Sequence, residues 1–146
     1  MDFGGLLILD ADALNRISES KLGPKFFLER KFKTWITPHS KEFSRLFPNI
    51  KGKTNVEIAL NAAKEFNISV LLKGANSTVA DNKKAWQLFG TDSQTARAGL
   101  GDLLSGFVAG SSAIDLTLCR NISTDFFVKY VLLHSFAASK LSLIHI

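Results

Sequence analysis

Short apolar runs of strand length alternate along the chain with segments of helical periodicity. Leu6 to Leu9 and Ile68 to Leu72 are continuous apolar runs, which are typical of strands buried on both faces of a sheet. The clearest amphipathic helix precedes the second run, with apolar residues at helical spacing at Val56, Ala59, Leu60, Ala63 and Phe66. Because strands alternate with helices, we predict an α/β fold with a mostly parallel sheet flanked by helices.

The other predicted elements are shorter. Further helices are predicted over Ala11 to Ile17, Phe26 to Phe32, Glu42 to Phe47, Leu103 to Ala113, and from Ser123 or Thr124 to about Lys140. A short strand is predicted over Thr34 to Thr37, and a hairpin over Ser77 to Ala80 and Ala85 to Phe89. Thr54 and Glu57 have the spacing of a capping box at the start of the amphipathic helix.

Composition excludes several classes of protein. The net charge is +5, and the densest basic stretch is Lys21 to Lys33. A solvated face is the preferred interpretation, attraction of a phosphorylated small ligand is the second, and a nucleic-acid site is disfavoured. No apolar run approaches the roughly 18 residues of a membrane span. Cys119 is the only cysteine, so no internal disulfide forms, no metal-ligand cluster is predicted, and a reducing cytoplasm is expected. The oligomeric state stays open, a homo-oligomer included.

The two ends indicate a piece of a longer protein. The chain starts almost within its first strand, and it ends in Leu141-Ser142-Leu143-Ile144-His145-Ile146. That hexapeptide looks like a translated adaptor from a sequencing library, although a short terminal strand is the alternative. We therefore expect residues 141–146 to be an artefact and exclude them from the fold.

Polar residues follow several predicted strands. Asp10, His39 and Lys73 each stand where a strand ends, which is the edge at which ligands of open α/β sheets bind. A lone histidine such as His39 is more often structural. Around the first turn, capping is the preferred interpretation of Asp12 and Asn15.

The segment after the strand that ends at Leu72 is a candidate phosphate site. It reads Lys73-Gly74-Ala75-Asn76-Ser77. Glycine lets a ligand approach the backbone, and lysine can meet a phosphate. An ordinary strand-end turn is an equally good interpretation.

The segment TARAGLGDLLSGFVAG, Thr95 to Gly110, places two glycines and an acid before an apolar helix. Gly99 and Gly101 leave backbone N–H groups uncovered, and the following helix points its positive end at the same place. These features form an anion site. Asp102 could accept a proton from a substrate hydroxyl there. A plain helix cap is an equally good interpretation of Asp102 on chemistry alone.

The ordered set of these segments resembles the dehydratase that repairs hydrated NAD(P)H, in the ribokinase-like superfamily. The matching pieces are LILDADALN, ITPHSKEF, LLKGANSTVA, AGLGDLLSGFVAG and VLLHSFAA. The resemblance implies that residues 1–140 are the C-terminal half of the domain and that the chain is N-terminally truncated. It leaves open whether the isolated chain is active.

The resemblance also implies a reaction, in which ADP or ATP phosphorylates the hydroxyl of the hydrate and phosphate then leaves. Asp102 would be the catalytic base, and Gly99, Leu100 and Gly101 the anion hole. His39 and Asp102 would contact the hydrated cofactor, and Mg²⁺ would bridge the phosphates. The adenine nucleotide would be held by Lys73, Gly74, Ala75, Asn76, Ser77 and Gly101. Leu100 departs from the usual threonine of the motif.

Two alternatives remain open from the sequence. A ribokinase-like vitamin-precursor kinase shares the anion hole and the base but releases a stable phosphate ester. A nucleotide-binding fragment without catalysis is the second.

Overall fold

The structure, a computed structural model, describes residues 4–87, 105–106 and 109–110. Its strands are β1 (Leu7–Leu9), β2 (Thr34–Ile36), β3 (Ser69–Leu72), β4 (Thr78–Ala80) and β5 (Ala85–Gln87). Its helices are α1 (Asp12–Glu19), α2 (Ser40–Leu46), α3 (Asn55–Phe66) and a 3₁₀ helix (Gly23–Phe27). Ser105, Gly106, Ala109 and Gly110 are helical, as predicted for their segment. The predicted last helix and residues 141–146 lie outside the described residues.

The five strands form one sheet in the order in which they occur along the chain. β1 pairs with β2 and β2 with β3 in parallel, whereas β3, β4 and β5 pair antiparallel. The described sheet is therefore mixed, and the predicted hairpin accounts for its antiparallel side. In the turn of that hairpin, one carboxylate oxygen of Asp81 accepts hydrogen bonds of 2.7 Å from both Lys83 N and Lys84 N.

Helix α3 begins and ends at residues that suit those positions. The Thr54 hydroxyl accepts a hydrogen bond from Glu57 N at 3.2 Å, which is half of the predicted capping box. The Glu57 carboxylate accepts from Lys53 N at 2.6 Å instead of closing the box on Thr54 N. At the other end, Asn67 takes the left-handed conformation, with φ of 52°.

The sheet separates two clusters of buried side chains. On one face, Ile36, Val70 and Leu72 pack with residues of α1, α2 and α3. Because side chains alternate along a strand, their neighbours Trp35, Leu71 and Val79 point to the other face and form a second cluster. Burial on both faces explains why these strands read as continuous apolar runs.

Helix α3 reaches the sheet through small residues. Ala59, Ala62 and Ala63 are fully buried, and they let the helix backbone approach β3 and β4 closely. Val56, which the periodicity predicted to lie on the apolar face of this helix, is only partly buried. The buried face of α3 is thus rotated slightly from the predicted one, toward Ala62.

The prediction of a helix over Phe26 to Phe32 is wrong. The structure instead has a 3₁₀ helix that begins at Gly23, with Pro24 in its first turn, and ends at Phe27. Proline fixes its own φ near the helical value and needs no N–H partner in the first turn, so it starts this helix. Phe27 is buried, whereas Phe32 is half exposed, so the later residues gain little from helical packing.

Four phenylalanines hold this part of the first cluster together. The ring of Phe47 lies 5.0 Å from Phe43, 5.0 Å from Phe66 and 6.1 Å from Phe27, measured between centroids. These rings come from the 3₁₀ helix, from α2 and its end, and from α3. Phe47 therefore links three segments that are distant in the sequence.

We expect Phe47→Ala to lower the free energy of unfolding by about 3–5 kcal/mol, because it removes a buried ring from the centre of this group. Equilibrium urea unfolding measures the change. Phe32→Ala removes the same ring from a half-exposed position and is the matched control. Equal losses in the two variants would contradict the assigned role of Phe47.

Candidate functional site

Asp10 lies at the carboxyl end of β1 and bonds to two distant parts of the chain. Its Oδ1 atom accepts from Lys73 Nζ at 2.8 Å, and its Oδ2 atom accepts from Ser105 Oγ at 2.6 Å. The backbone N–H of Ala11 also donates to Oδ1, at 2.9 Å. The side chain of Asp10 is only 13% exposed. Both carboxylate oxygens are therefore occupied in a largely buried position.

Thr37, at the end of β2, extends this cluster. It is fully buried, and its Oγ1 atom lies 3.2 Å from Ser105 Oγ. An ionised carboxylate can only accept hydrogen bonds, so the single hydroxyl proton of Ser105 is directed to Asp10. The Thr37 hydroxyl also lies 3.5 Å from Leu9 O, to which it donates. We call Asp10, Thr37, Lys73 and Ser105 the carboxyl-end cluster.

The carboxyl-end cluster favours the ionised form of Asp10. Burial by itself would raise the pKa of the Asp10 carboxyl. Hydrogen bonds from Lys73 and Ser105, the charge of Lys73 and the Thr37 hydroxyl together outweigh burial, and they hold that pKa below its ordinary value of 3.8. Asp10 is thus an anion paired with the Lys73 cation at neutral pH.

His39 begins helix α2 and uses both ring nitrogens there. Its Nδ1 atom accepts from the N–H groups of Lys41 at 3.1 Å and Glu42 at 3.3 Å. The Glu42 carboxylate accepts in return from His39 N at 2.8 Å and lies 3.3 Å from Nε2. Because Nδ1 is an acceptor, the ring proton is on Nε2. His39 is therefore the N-cap of a capping box, and half of its side chain is exposed.

The strand ends bring His39 and Lys73 side by side. Lys73 N donates to Pro38 O at 2.8 Å. His39 and Lys73 form an isolated parallel bridge beyond β2 and β3. Asp10, His39 and Lys73 therefore share one edge of the sheet, as their positions after strands predicted.

The segment after Lys73 is a turn with an accessible backbone. Gly74, Ala75 and Asn76 are exposed, and Ser77 Oγ donates to Gly74 O at 3.2 Å. A Cβ atom placed on Gly74 would meet no atom within 4 Å. This exposed backbone fits both a phosphate site and an ordinary strand-end turn.

Other predicted residues are placed differently or lie elsewhere. Gly99, Leu100, Gly101 and Asp102 lie outside the described residues. The interpretation of Asp12 and Asn15 as caps is wrong, because α1 has no side-chain cap. The Asn15 Oδ1 atom instead accepts from Arg45 Nη1 at 2.7 Å, which joins α1 to α2.

Sequence reasoning missed Thr37 and Ser105. Thr37 follows β2 directly, so the rule that found Asp10 and Lys73 also applies to it. Ser105 lies on a helix, and the pattern of strands gives no signal for it. In the part of the chain that the structure describes, no three histidine, cysteine or acidic side chains could jointly hold a metal ion. Within the same residues, no helix is long and apolar enough to cross a membrane.

Solved structures place this fold in a known class. A ribokinase-like superfamily protein from Enterococcus faecalis superimposes with a TM-score of 0.58 and 23% identity, covering 72% of this chain and 36% of that one. A Bacillus subtilis ADP/ATP-dependent NAD(P)H-hydrate dehydratase, co-crystallised with ATP and Mg²⁺, gives a TM-score of 0.55 and 28% identity over 70% of this chain and 36% of that one. The fold is ribokinase-like, as predicted.

The family model described as NAD(P)H-hydrate dehydratase matches residues 2–144. This chain belongs to that family, which confirms the resemblance. A bifunctional NAD(P)H-hydrate repair enzyme from Synechocystis is 38% identical over 105 residues, which are 71% of this chain and 20% of the relative. The chain thus spans about a fifth of the length of that relative.

The lowered pKa of Asp10 predicts how its contribution to stability depends on pH. A carboxyl group with a lowered pKa in the folded state stabilises the protein above its ordinary pKa, and it loses this effect as the pH falls through the lowered value. We expect wild type to exceed Asp10→Asn in unfolding free energy by a constant amount above pH 3.8, and the excess to disappear in stronger acid. Urea unfolding over a pH series measures it. An excess that persists unchanged in acid would contradict this assignment.

Proposed function

We propose that residues 1–140 are the C-terminal half of a nucleotide-dependent NAD(P)H-hydrate dehydratase domain, a lyase, in a longer cytoplasmic protein. The contact of Ser105 with Asp10 carries the proposal. Ser105 follows Asp102 by three positions in the sequence, and it contacts the edge that bears His39 and Lys73. The family match over residues 2–144 supports the same conclusion.

The proposed reaction repairs the S epimer of hydrated NADH or NADPH. The hydroxyl oxygen of the hydrate attacks the terminal phosphoryl group of ADP or ATP, and its proton passes to a base. The nucleotide leaves with one phosphate fewer. Phosphate then departs from the ring carbon, a proton leaves the neighbouring carbon, and the ring double bond is restored.

Each predicted residue has a role in this reaction. Asp102 is the base, and the hydrate contacts His39 and Asp102. The backbone N–H groups of Gly99, Leu100 and Gly101 stabilise the transferring phosphoryl group, because preorganised donors are most effective where charge develops. The adenine nucleotide is held by Lys73, Gly74, Ala75, Asn76, Ser77 and Gly101. Gly74 supports this, since its backbone is open.

Magnesium belongs to the proposal as a partner of the nucleotide. Mg²⁺ prefers oxygen ligands and is usually held through substrate phosphates and one or two carboxylates. Asp10, the acid at this edge, has both oxygens engaged by Lys73 and Ser105. The described residues therefore do not fit a dedicated magnesium site, and no step is assigned to the ion.

Asp102→Asn separates the base from the helix cap. Asparagine is also a good N-cap, so the variant should fold and bind nucleotide. It lacks the proton acceptor, so we expect its rate to fall about 10²–10⁴-fold, the usual range for a positioned general base. The measurement is the recovery of NADH absorbance from the hydrate by the full-length protein with ADP or ATP.

The same assay tests the function as a whole. Wild type should restore NADH and should not phosphorylate hydroxymethylpyrimidine, the substrate type of the related kinases. An Asp102→Asn variant that keeps more than about a tenth of the wild-type rate would contradict the base assignment. Nucleotide binding by wild type without any recovery of NADH would refute the dehydratase.

A test of His39 as a substrate contact requires a variant that preserves its role as the N-cap of α2. His39→Asn can still accept from the N–H groups of α2, whereas His39→Ala cannot and should lose about 0.5–2 kcal/mol of stability. We expect His39→Asn to stay folded and to raise the KM for the hydrate more than the KM for the nucleotide. An equal rise in both KM values, or none, would leave His39 with the cap alone.

A further inference from the structure

We propose that Asp10 is a positioning residue for phosphoryl transfer, which holds the helix containing Ser105 and the ammonium group of Lys73 in a fixed relation. The inference rests on the proposed function. It assigns Asp10 no contact with substrate. Its effect on the reaction passes through the residues that it binds.

Asp10 joins parts of the chain that are far apart in sequence. Lys73 is 63 residues away and Ser105 is 95 residues away, yet they bind the two oxygens of one carboxylate. Thr37 adds a bond to Ser105 across 68 residues. Through these bonds, the carboxyl-end cluster fixes the ends of β1, β2 and β3 relative to the Ser105 helix.

Two hydrogen bonds of the carboxyl-end cluster hold Ser105. Its hydroxyl donates to Asp10 Oδ2 at 2.6 Å, and its oxygen lies 3.2 Å from Thr37 Oγ1. Thr37 is fully buried, so its contact with Ser105 is shielded from water. A shift of the Ser105 helix would break its bonds to Asp10 and Thr37 together. These two bonds therefore restrict the position of that helix.

The charge of Asp10 argues against a role in nucleotide affinity. A carboxylate at this edge repels a phosphate chain, and its pair with Lys73 weakens the attraction of that lysine for phosphate. The acid therefore opposes anion binding. What it contributes instead is the placement of Lys73 and Ser105.

The backbone beside Asp10 supports a constrained turn. Ala11 has φ of 45° and ψ of −115°, a conformation that residues with a Cβ rarely adopt. Strained residues persist only where the surrounding structure holds them, and they cluster at functional sites. The bond from Ala11 N to the Asp10 carboxylate is one contact that holds this turn.

Chain connectivity links the carboxyl-end cluster to the proposed base. Asp102 and Ser105 are three positions apart in the sequence, and three residue steps span at most about 11 Å. Anchoring Ser105 therefore restricts where Asp102 can lie. Misplacement of a reacting group by about 1 Å can cost 10²-fold in rate.

The test uses Asp10→Asn, Ser105→Ala and their combination in the full-length protein. Asparagine keeps the shape of Asp10 but donates to Ser105 instead of accepting from it, so it reverses that bond. We expect each single variant to lower kcat about 10- to 100-fold. Nucleotide Kd, measured by calorimetry, should stay within about threefold or tighten, because the removed charge opposed binding.

The double variant should be no worse than the more impaired single variant, because both substitutions act on the same contact between residues 10 and 105. Hydrogen exchange over residues 99–110 should rise in both single variants and stay unchanged in α3. This measurement needs no turnover. A wild type that binds nucleotide without dehydrating the hydrate would refute the proposed function. In that case hydrogen exchange over residues 99–110 would still test whether Asp10 positions the Ser105 helix.

Two controls match these substitutions. Asp12→Asn removes an equal charge two residues away, from an exposed side chain that makes no hydrogen bond to the described part of the chain. Ser44→Ala removes an exposed serine whose side chain, among the described residues, bonds within α2 to Ser40 O at 3.0 Å. Both should keep wild-type kcat and exchange.

Several results would overturn the proposal. One is an unchanged kcat in Ser105→Ala, which would refute the positioning role of Asp10 even if Asp10→Asn does not fold. Others are a tenfold or larger rise in nucleotide Kd with kcat retained, multiplicative losses in the double variant, and unaltered exchange over residues 99–110. A lower melting temperature with wild-type kcat and KM would reduce Asp10 to a structural role.

Discussion

Parallel pairing of three short strands is the constraint on which the site depends. β1, β2 and β3 end at the same edge because they run in the same direction, and Asp10, Thr37 and Lys73 follow their last residues by one position each. A slip of one residue in either pairing would turn the following side chains to the opposite face. Burial on both faces opposes such a slip, since Trp35 and Ile36 fill different clusters. The packing of apolar residues thereby sets the positions of the polar ones.

Local sequence patterns predicted the features that have local causes. The ends of β1, β3 and β4, the Asp81 turn and helix α3 each depend on neighbouring residues, and the structure confirms them. Strand β2 ends at Ile36, one residue before the predicted Thr37. The meeting of Asp10 and Lys73 at one edge followed from a general rule for parallel sheets. The part of the site formed by these strands was therefore predictable from the sequence.

Features with distant causes were not predictable in this way. The bond of Ser105 to Asp10 depends on how a helix packs 95 residues later, which no periodicity records. Asn15 resembled a cap because nothing near it in sequence shows that Arg45 will approach. The 3₁₀ helix ends at Phe27, whose ring is buried against residues of α2 and α3. The local sequence does not show which phenylalanine these helices will bury.

The pairing of Asp10 with Lys73 also bears on the proposed binding of a phosphate chain at this edge. A lysine already bound to a carboxylate at 2.8 Å adds little net charge to its surroundings. Backbone N–H groups and helix dipoles carry fixed partial charges that no neighbouring acid can neutralise by pairing. The proposed site therefore depends more on oriented peptide groups than on the net charge of +5.

The capping role of His39 limits how that residue can meet a ligand. Nδ1 accepts two backbone hydrogen bonds, and Nε2 faces Glu42. A ligand that leaves this cap intact finds no free nitrogen on the ring. It meets the carbon edge and the flat π face of the imidazole, and a planar heterocycle can stack there. His39 would then distinguish ligands by shape and aromaticity rather than by exchanging a proton with them.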